Sequence, residues 1–149
     1  MRAVVQRVSS ASIEIENQVV SSILNGILAF IGFHLEDTAK DLDIIADKIL
    51  NLRIFNDSDN LMNLSLFDIE GELLIVSQFT LYGDARKGRR PSFSNAMPPD
   101  KALNFYNEFI DVCKNRYERV KHGVFQADMN ISLINSGPVT ILLDSSKAF

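Results

Sequence analysis

The residues best suited to chemistry stand where an apolar run ends. Leu73-Leu74-Ile75-Val76 is continuous and reads as a strand buried on both faces. Ser77, Gln78 and Thr80 follow abruptly, with Phe79 and Leu81 between them. Hydroxyls, an amide and an aromatic ring at a strand end can orient a ligand, because a rigid scaffold there positions an adaptable segment. A buried strand whose Ser and Thr bond neighbouring backbone accounts for this stretch equally well. A second stretch, Asn135-Ser136-Gly137-Pro138-Val139-Thr140, favours a site.

The usual catalysts are missing around these groups. A serine-type hydrolase needs a base beside its nucleophile, and the sequence has no Gly-x-Ser-x-Gly elbow. The two histidines are His34, ending a strand, and His122, read as a surface residue. Nothing in the sequence pairs either with Ser77 or Thr80. One cysteine and two histidines form no metal-ligand cluster, so neither metal nor cofactor is expected. Any reaction here would rest on orientation more than on side-chain acid–base chemistry.

Together, Ser77-Gln78-Phe79-Thr80 and Asn135-x-Gly137-Pro138-Val139-Thr140 resemble the D-aminoacyl-tRNA deacylase family, whose two signatures they match in order and spacing. The resemblance spans the chain, from Met1-Arg2-Ala3-Val4-Val5-Gln6-Arg7-Val8 through Arg53-Ile54-Phe55, Met62-Asn63 and Arg90-Pro91-Ser92-Phe93. It implies hydrolysis of the ester of D-aminoacyl-tRNA, and of glycyl esters mischarged on an alanine tRNA. An aminoacyl ester is already activated, so orientation and an oxyanion site can supply much of the rate. The resemblance implies that backbone N–H groups of Phe79 and Thr80 polarise the carbonyl. The substrate's own ribose 2′-OH would position or activate water, with Thr80 orienting the reacting group. Phe125 and Met129 would line a pocket for the terminal adenosine, although Gln126 stands where many members have a small residue. The resemblance further implies a homodimer in which a cis Gly137-Pro138 bond of one subunit enters the other's site. Its two carbonyls would receive a D-residue's amino group and leave no room for an L side chain. Arg7 would support that segment. The rival readings are a non-catalytic RNA 3′-end binding module and an editing domain for L-aminoacyl esters.

Composition agrees with a globular enzyme. The 149 residues are read as one domain, with 46% hydrophobic and 23% charged residues. The apolar run 27–33 is too short to span a bilayer, and Met1-Arg2 leads straight into a strand-like segment, so no signal peptide is expected. The single Cys113 excludes an internal disulfide and fits a reducing cytoplasm. A net charge of −4 argues against a general nucleic-acid coat protein. Arg86, Lys87, Arg89 and Arg90 nevertheless crowd four cations into five positions. Charge runs are usually solvated loops, but this one follows Thr80 closely and suits a local contact with tRNA phosphates.

The elements that must position these groups are predicted as follows. Ala3–Ile15 reads as two strands or one long bent one, and Glu16-Asn17-Gln18 as a turn. Val19–Leu24 and Ile27–Phe33 are strands, joined by a type I′ hairpin at Asn25-Gly26. Residues 39–51 are a helix burying Leu42, Ile45, Ala46, Ile49 and Leu50, with Thr38 and Asp41 as a capping box. Asn56 to Asn60 is a polar turn, since Leu61 and Met62 spoil a calcium loop. Residues 64–69 and 72–81 flank Glu70-Gly71 as a second hairpin. Pro99 and Asp100 open a helix with Ala102, Leu103, Tyr106, Phe109, Ile110 and Cys113 on its apolar stripe. Strands are expected at 124–129, 131–134 and 139–143, with a tight turn as the simplest account of Gly137-Pro138. The fold class is α/β (α+β type): a curved, mainly antiparallel sheet or partial barrel covered by two main helices.

Overall fold

The first strand organises the sheet because it pairs along both of its edges. In the computed structural model, which describes residues 1–148, β1 (Arg2–Ile15) is one unbroken strand. Its first half pairs with β3 (Gly26–Gly32) and its second half with β2 (Gln18–Ile23), both antiparallel. Its other edge pairs almost throughout with β8 (Asn130–Asp144), from Arg2 opposite Asp144 to Glu14 opposite Asn130. Beyond β3 lie β6 (Glu72–Ser77) and β7 (Val120–His122), both parallel to their neighbours. The result is a nearly closed, curved six-stranded sheet, mainly antiparallel as expected.

Alternation along β6 explains its apolar run. Leu73 and Ile75 pack in the cluster with α1 (Ala39–Asn51) and α3 (Pro99–Arg116), whereas Leu74 and Val76 join Val8, Ala11, Ile13 and Leu28 on the other face. A strand buried on both faces has no position left for a polar residue until it leaves the core at Ser77. The predicted face of α1 is the buried one, and Thr38 N–H donates to Asp41 Oδ2 at 2.9 Å, closing one arm of the capping box. On α3, Cys113 is fully buried and its thiol pKa is pushed up to about 12 by burial, as befits a packing residue. Leu103 departs from its expected place on the stripe and is 40% exposed.

Four expectations need correction. Asn25-Gly26 does not close a hairpin, because β3 and β2 follow one another along the same edge of β1 without pairing to each other. Gly26 is there for space: a Cβ would meet the Glu72 carbonyl oxygen at 1.9 Å. The hairpin turn lies at Glu16-Asn17, where a turn was expected, and both residues have positive φ. Residues 64–69 are not a hairpin arm. Leu66–Ile69 is a short helix, α2, opened by Ser65, whose N–H donates to Asp68 Oδ2 at 2.7 Å, and closed by Glu70 at φ 49°. β6 stops at Ser77, and Phe79–Tyr82 is a turn of 3₁₀ helix. Residues 124–129 form a loop, and 131–134 with 139–143 belong to one strand, β8, that runs through Gly137-Pro138.

β4 (Phe55–Asn56) and β5 (Met62–Leu64) form a small separate hairpin around the polar turn. There Asp57 Oδ1 accepts from the N–H groups of Asp59 and Leu61.

The buried Tyr106 hydroxyl lies 3.1 Å from both the Ile75 and Gly123 carbonyls, fastening α3 to the end of β6. Tyr106→Phe removes that donor from a site closed to water. Chemical unfolding is expected to register a loss of about 1–3 kcal/mol; a neutral result would mean that water reaches the Gly123 carbonyl, the Ile75 carbonyl keeping its bond from Gly123 N–H.

Candidate active site

Where β6 leaves the core, Gln78 N–H makes a last rung to the Ile31 carbonyl at 2.6 Å, and the chain then winds into the 3₁₀ turn. Gln78 Nε2 donates to Thr80 Oγ1 at 2.5 Å. That bond leaves the Thr80 proton available to another acceptor. The N–H groups of Phe79 and Thr80 fall in the first turn, where a helix supplies no partner of its own.

Ser77, Gln78 and Phe79 border a cavity of about 730 Å³. Its opposite wall is the 124–129 loop, with Phe125 and Met129, and its floor includes Pro98, Pro99 and Ala102 at the start of α3. The loop is shaped by close packing. Phe125 rests against Tyr106 with ring centroids 5.7 Å apart. Met129 reaches so near Gly123 that a Cβ there would lie 2.9 Å from its sulfur. Gln126 has φ 60°, a conformation that glycine adopts at less cost. The polar motif and the predicted adenosine pocket therefore share one cavity. Thr80 sits beside it, exposed, tied in through Gln78.

The second motif lies elsewhere on the same chain. Gln6 is opposite Thr140 and Val8 opposite Asn135, so residues 136–139 bulge out facing Arg7 alone. The Gly137-Pro138 bond is cis, as the resemblance implied, with Gly137 at φ 127°. Arg7 Nε donates to the Ser136 carbonyl at 2.9 Å, and Nη1 donates to the Ile54 carbonyl at 2.6 Å and Asn56 Oδ1 at 3.2 Å. On the other side, Asn135 Oδ1 accepts from Val139 N–H at 2.9 Å, and its Nδ2 donates to Thr140 Oγ1 at 3.0 Å. Gly137 and Pro138 are exposed and neither borders the cavity.

Sequence reasoning missed the parts of this brace that are backbone. The Ile54 carbonyl carries no side-chain signature, although Arg53-Ile54-Phe55 and Met62-Asn63 were among the residues of the resemblance. Arg53 Nε donates to the Asn63 carbonyl at 2.8 Å, which holds the hairpin that receives Arg7.

The basic loop is closed by a bridge between Asp84 and Ser92, whose backbone bonds are 2.8 and 2.9 Å. Arg86, Lys87, Arg89 and Arg90 are all exposed. Arg86 is turned back on Asp84, with Nη2 2.6 Å from Oδ2 and Nε 2.9 Å from Oδ1. The Arg86 guanidinium holds the Asp84 carboxyl well below the usual carboxylate range.

The histidines take no part in this geometry. His34 Nδ1 accepts from Glu36 N–H, and its ring lies against Tyr82. His122 contacts the Gly123 carbonyl and the edge of Tyr106. Among the described residues, no group of three or more His, Cys, Asp or Glu is placed to hold a metal. Among the described residues, no helix is long and apolar enough to cross a membrane.

The sequence model of the family described as D-Tyr-tRNA(Tyr) deacylase matches residues 4–144. The chain belongs to that family. A protein named D-aminoacyl-tRNA deacylase from Thermosipho africanus is 56% identical over 149 residues, 100% of both chains. One of the same name from Clostridioides difficile is also 56% identical over 149 residues, again with 100% of both chains covered. A solved structure described as c-Myc DNA Unwinding Element Binding Protein superposes with TM-score 0.93 at 44% identity, covering 97% of this chain and 98% of that one. Another, described as a probable eukaryotic D-amino acid tRNA deacylase, gives TM-score 0.82 at 20% identity over 95% of this chain and 97% of that one, a likeness of fold.

Proposed function

We propose that this protein hydrolyses the ester bond of D-aminoacyl-tRNA, releasing the D-amino acid and the tRNA. The observation that carries the reading is one cavity shared by Ser77, Gln78 and Phe79 on one wall and Phe125 and Met129 on the other. In this reading Phe125 and Met129 hold the terminal adenosine, which brings the ester towards the Ser77–Thr80 corner. The Phe79 and Thr80 N–H groups then polarise the ester carbonyl as it becomes an oxyanion. Gln78 fixes the Thr80 hydroxyl, which orients the water or the ribose 2′-OH beside the ester. Such a scheme relies on preorganisation, which is strong for an already activated acyl group.

Discrimination is assigned to Gly137 and Pro138 of a second subunit. Their exposure, away from their own chain's cavity, supports a homodimer in which each bulge enters the partner's site. Rejection by main-chain atoms would apply to any L side chain and would pass glycyl esters, which have none. The expected setting is the cytoplasm, where aminoacyl-tRNA is found.

Free amino acid released from D-Tyr-tRNA at catalytic protein levels tests the proposal against a mere RNA-end binder. The ratio of D- to L-Tyr-tRNA hydrolysis tests it against an editing domain for L-esters. Stoichiometric binding without release, or faster release from the L-ester, would overturn it.

Arg86, Lys87, Arg89 and Arg90 are the proposed phosphate contacts. Such contacts position a ligand without reading it, so replacing all four by Ala is expected to weaken tRNA binding and leave the D/L ratio nearly unaltered. The plot of log affinity against log salt should flatten by about 0.7–0.9 for each phosphate that is no longer neutralised. An unaltered slope would make the loop a solvated turn.

A further inference from the structure

Phe93 stands outside the scheme above, yet its setting is unusual for a phenylalanine. It is 36% exposed, and the Phe79 ring it touches is 59% exposed. The two centroids are 5.1 Å apart with the planes at 63°. Both rings border the mouth of the cavity, and neither belongs to the hydrophobic clusters that form the core. Phe93 is also firmly mounted. It follows the Asp84–Ser92 bridge directly, and its Cε1 packs so closely over Gly83 that a Cβ there would approach to 3.0 Å. On the far side of the same bridge the loop carries Lys87, Arg89 and Arg90. Cavity, ring pair and cations therefore follow one another along a single short stretch of chain.

That succession matches what an unpaired nucleic-acid strand needs, flat rings for its bases beside cations for its phosphates. It is less suited to a protein partner, since Lys87, Arg89 and Arg90, which Asp84 does not neutralise as it does Arg86, would have to be matched by acidic groups. We propose that Phe93, leaning on Phe79, stacks the base of the nucleotide preceding the terminal one, so that the tRNA end leaves the cavity over this ring towards the basic loop. The proposal rests on the terminal nucleoside occupying the cavity.

The test compares one D-tyrosyl ester on two carriers, full tRNA and a lone adenosine. In Phe93→Ala, the ratio of kcat/KM on tRNA to kcat/KM on the adenosine ester is expected to fall about five- to 100-fold, the span that stacking on one ring supplies. The loss should appear as a raised KM with kcat little altered, and Phe93→Trp should restore the ratio. An unaltered ratio overturns the proposal, whether the two activities fall together or stay. So does a change in the sedimentation of Phe93→Ala, which would mean that a second copy of the chain covers the ring. A binding measurement stands apart from catalysis. An uncharged RNA end carrying 2-aminopurine at the penultimate position should be quenched by the parental protein and much less by Phe93→Ala. If neither ester is hydrolysed but the quench depends on Phe93, the stacking site stands and the enzymatic reading fails. Equal quenching by both proteins removes the site even where hydrolysis is confirmed.

Discussion

Arg7→Ala is expected to cost the protein most of its preference for D- over L-Tyr-tRNA, by about one to two orders of magnitude. The Arg7 guanidinium joins the Ser136 carbonyl to the Ile54 carbonyl and Asn56, at 2.9, 2.6 and 3.2 Å. It is the β1 residue opposite the bulge of 136–139, because Gln6 and Val8 pair on either side of it. Hydrogen bonds to a charged donor contribute about 1.5–3 kcal/mol each, which sets the range given. Arg7→Lys should not rescue, since an ammonium cannot present two donors in the fixed fork that spans two carbonyls. Gly137→Ala should act on the same contact from the other side. Its Cβ would lie 2.6 Å from Arg7 Nη2, at a φ of 127° that L residues rarely adopt. The measurement is kcat/KM on both esters, with a melting curve for each variant. A folded Arg7→Ala that still rejects L-Tyr-tRNA at the parental level would separate this bulge from chiral choice.

The second large effect is expected at Thr80. Thr80→Ala should lower kcat by about 10- to 100-fold and leave tRNA affinity within a few-fold, because its hydroxyl is exposed and contributes no packing. Gln78 supports that hydroxyl at 2.5 Å, so Thr80→Ser, which keeps the oxygen, should retain most activity. Ser77→Ala should be milder, a hydrogen-bond loss of about 1 kcal/mol. Single-turnover hydrolysis of D-Tyr-tRNA checks all three. A Thr80→Ala variant that hydrolyses at the parental rate would assign the chemistry to backbone N–H groups and the substrate's 2′-OH alone.

Legibility in the sequence followed the range of the interaction. The α1 face was readable because burial repeats every turn of a helix, and every residue expected on it is buried. β6 was readable because two-sided burial leaves an apolar run. Asn25-Gly26 misled because Gly26 answers a contact with Glu72, across the parallel β3–β6 pair, which no local rule registers. Ser65-x-x-Asp68 carried the same capping signal as Thr38-x-x-Asp41, but β-rich neighbours masked it. Gly137-Pro138 read as a turn because Pro offers no ladder donor, yet a wide bulge lets one strand accommodate it. At the site, the motifs named the residues but not their distribution. That Phe125 and Met129 share a cavity with Ser77, while Gly137 and Pro138 do not, depends on how strands distant in sequence curl together.

The pairing of β1 with β8 also bears on how the protein is made. Arg2 and Asp144, which bond through Nε and Oδ2, are separated by 142 positions. At a ribosomal pace of about 5–20 residues per second, the first strand emerges roughly seven to thirty seconds before its last partner. During that interval β3 can occupy one edge of β1 while the other stays open, a template for wrong pairing. The bulge carrying Gly137 and Pro138 is delivered by that same late strand. The cavity around Ser77 waits on the same late stretch, since Phe125, Met129 and Ile131 line it, so the cavity and the segment proposed to reject L-esters are made within a few residues of each other and a nascent chain has no interval of indiscriminate hydrolysis.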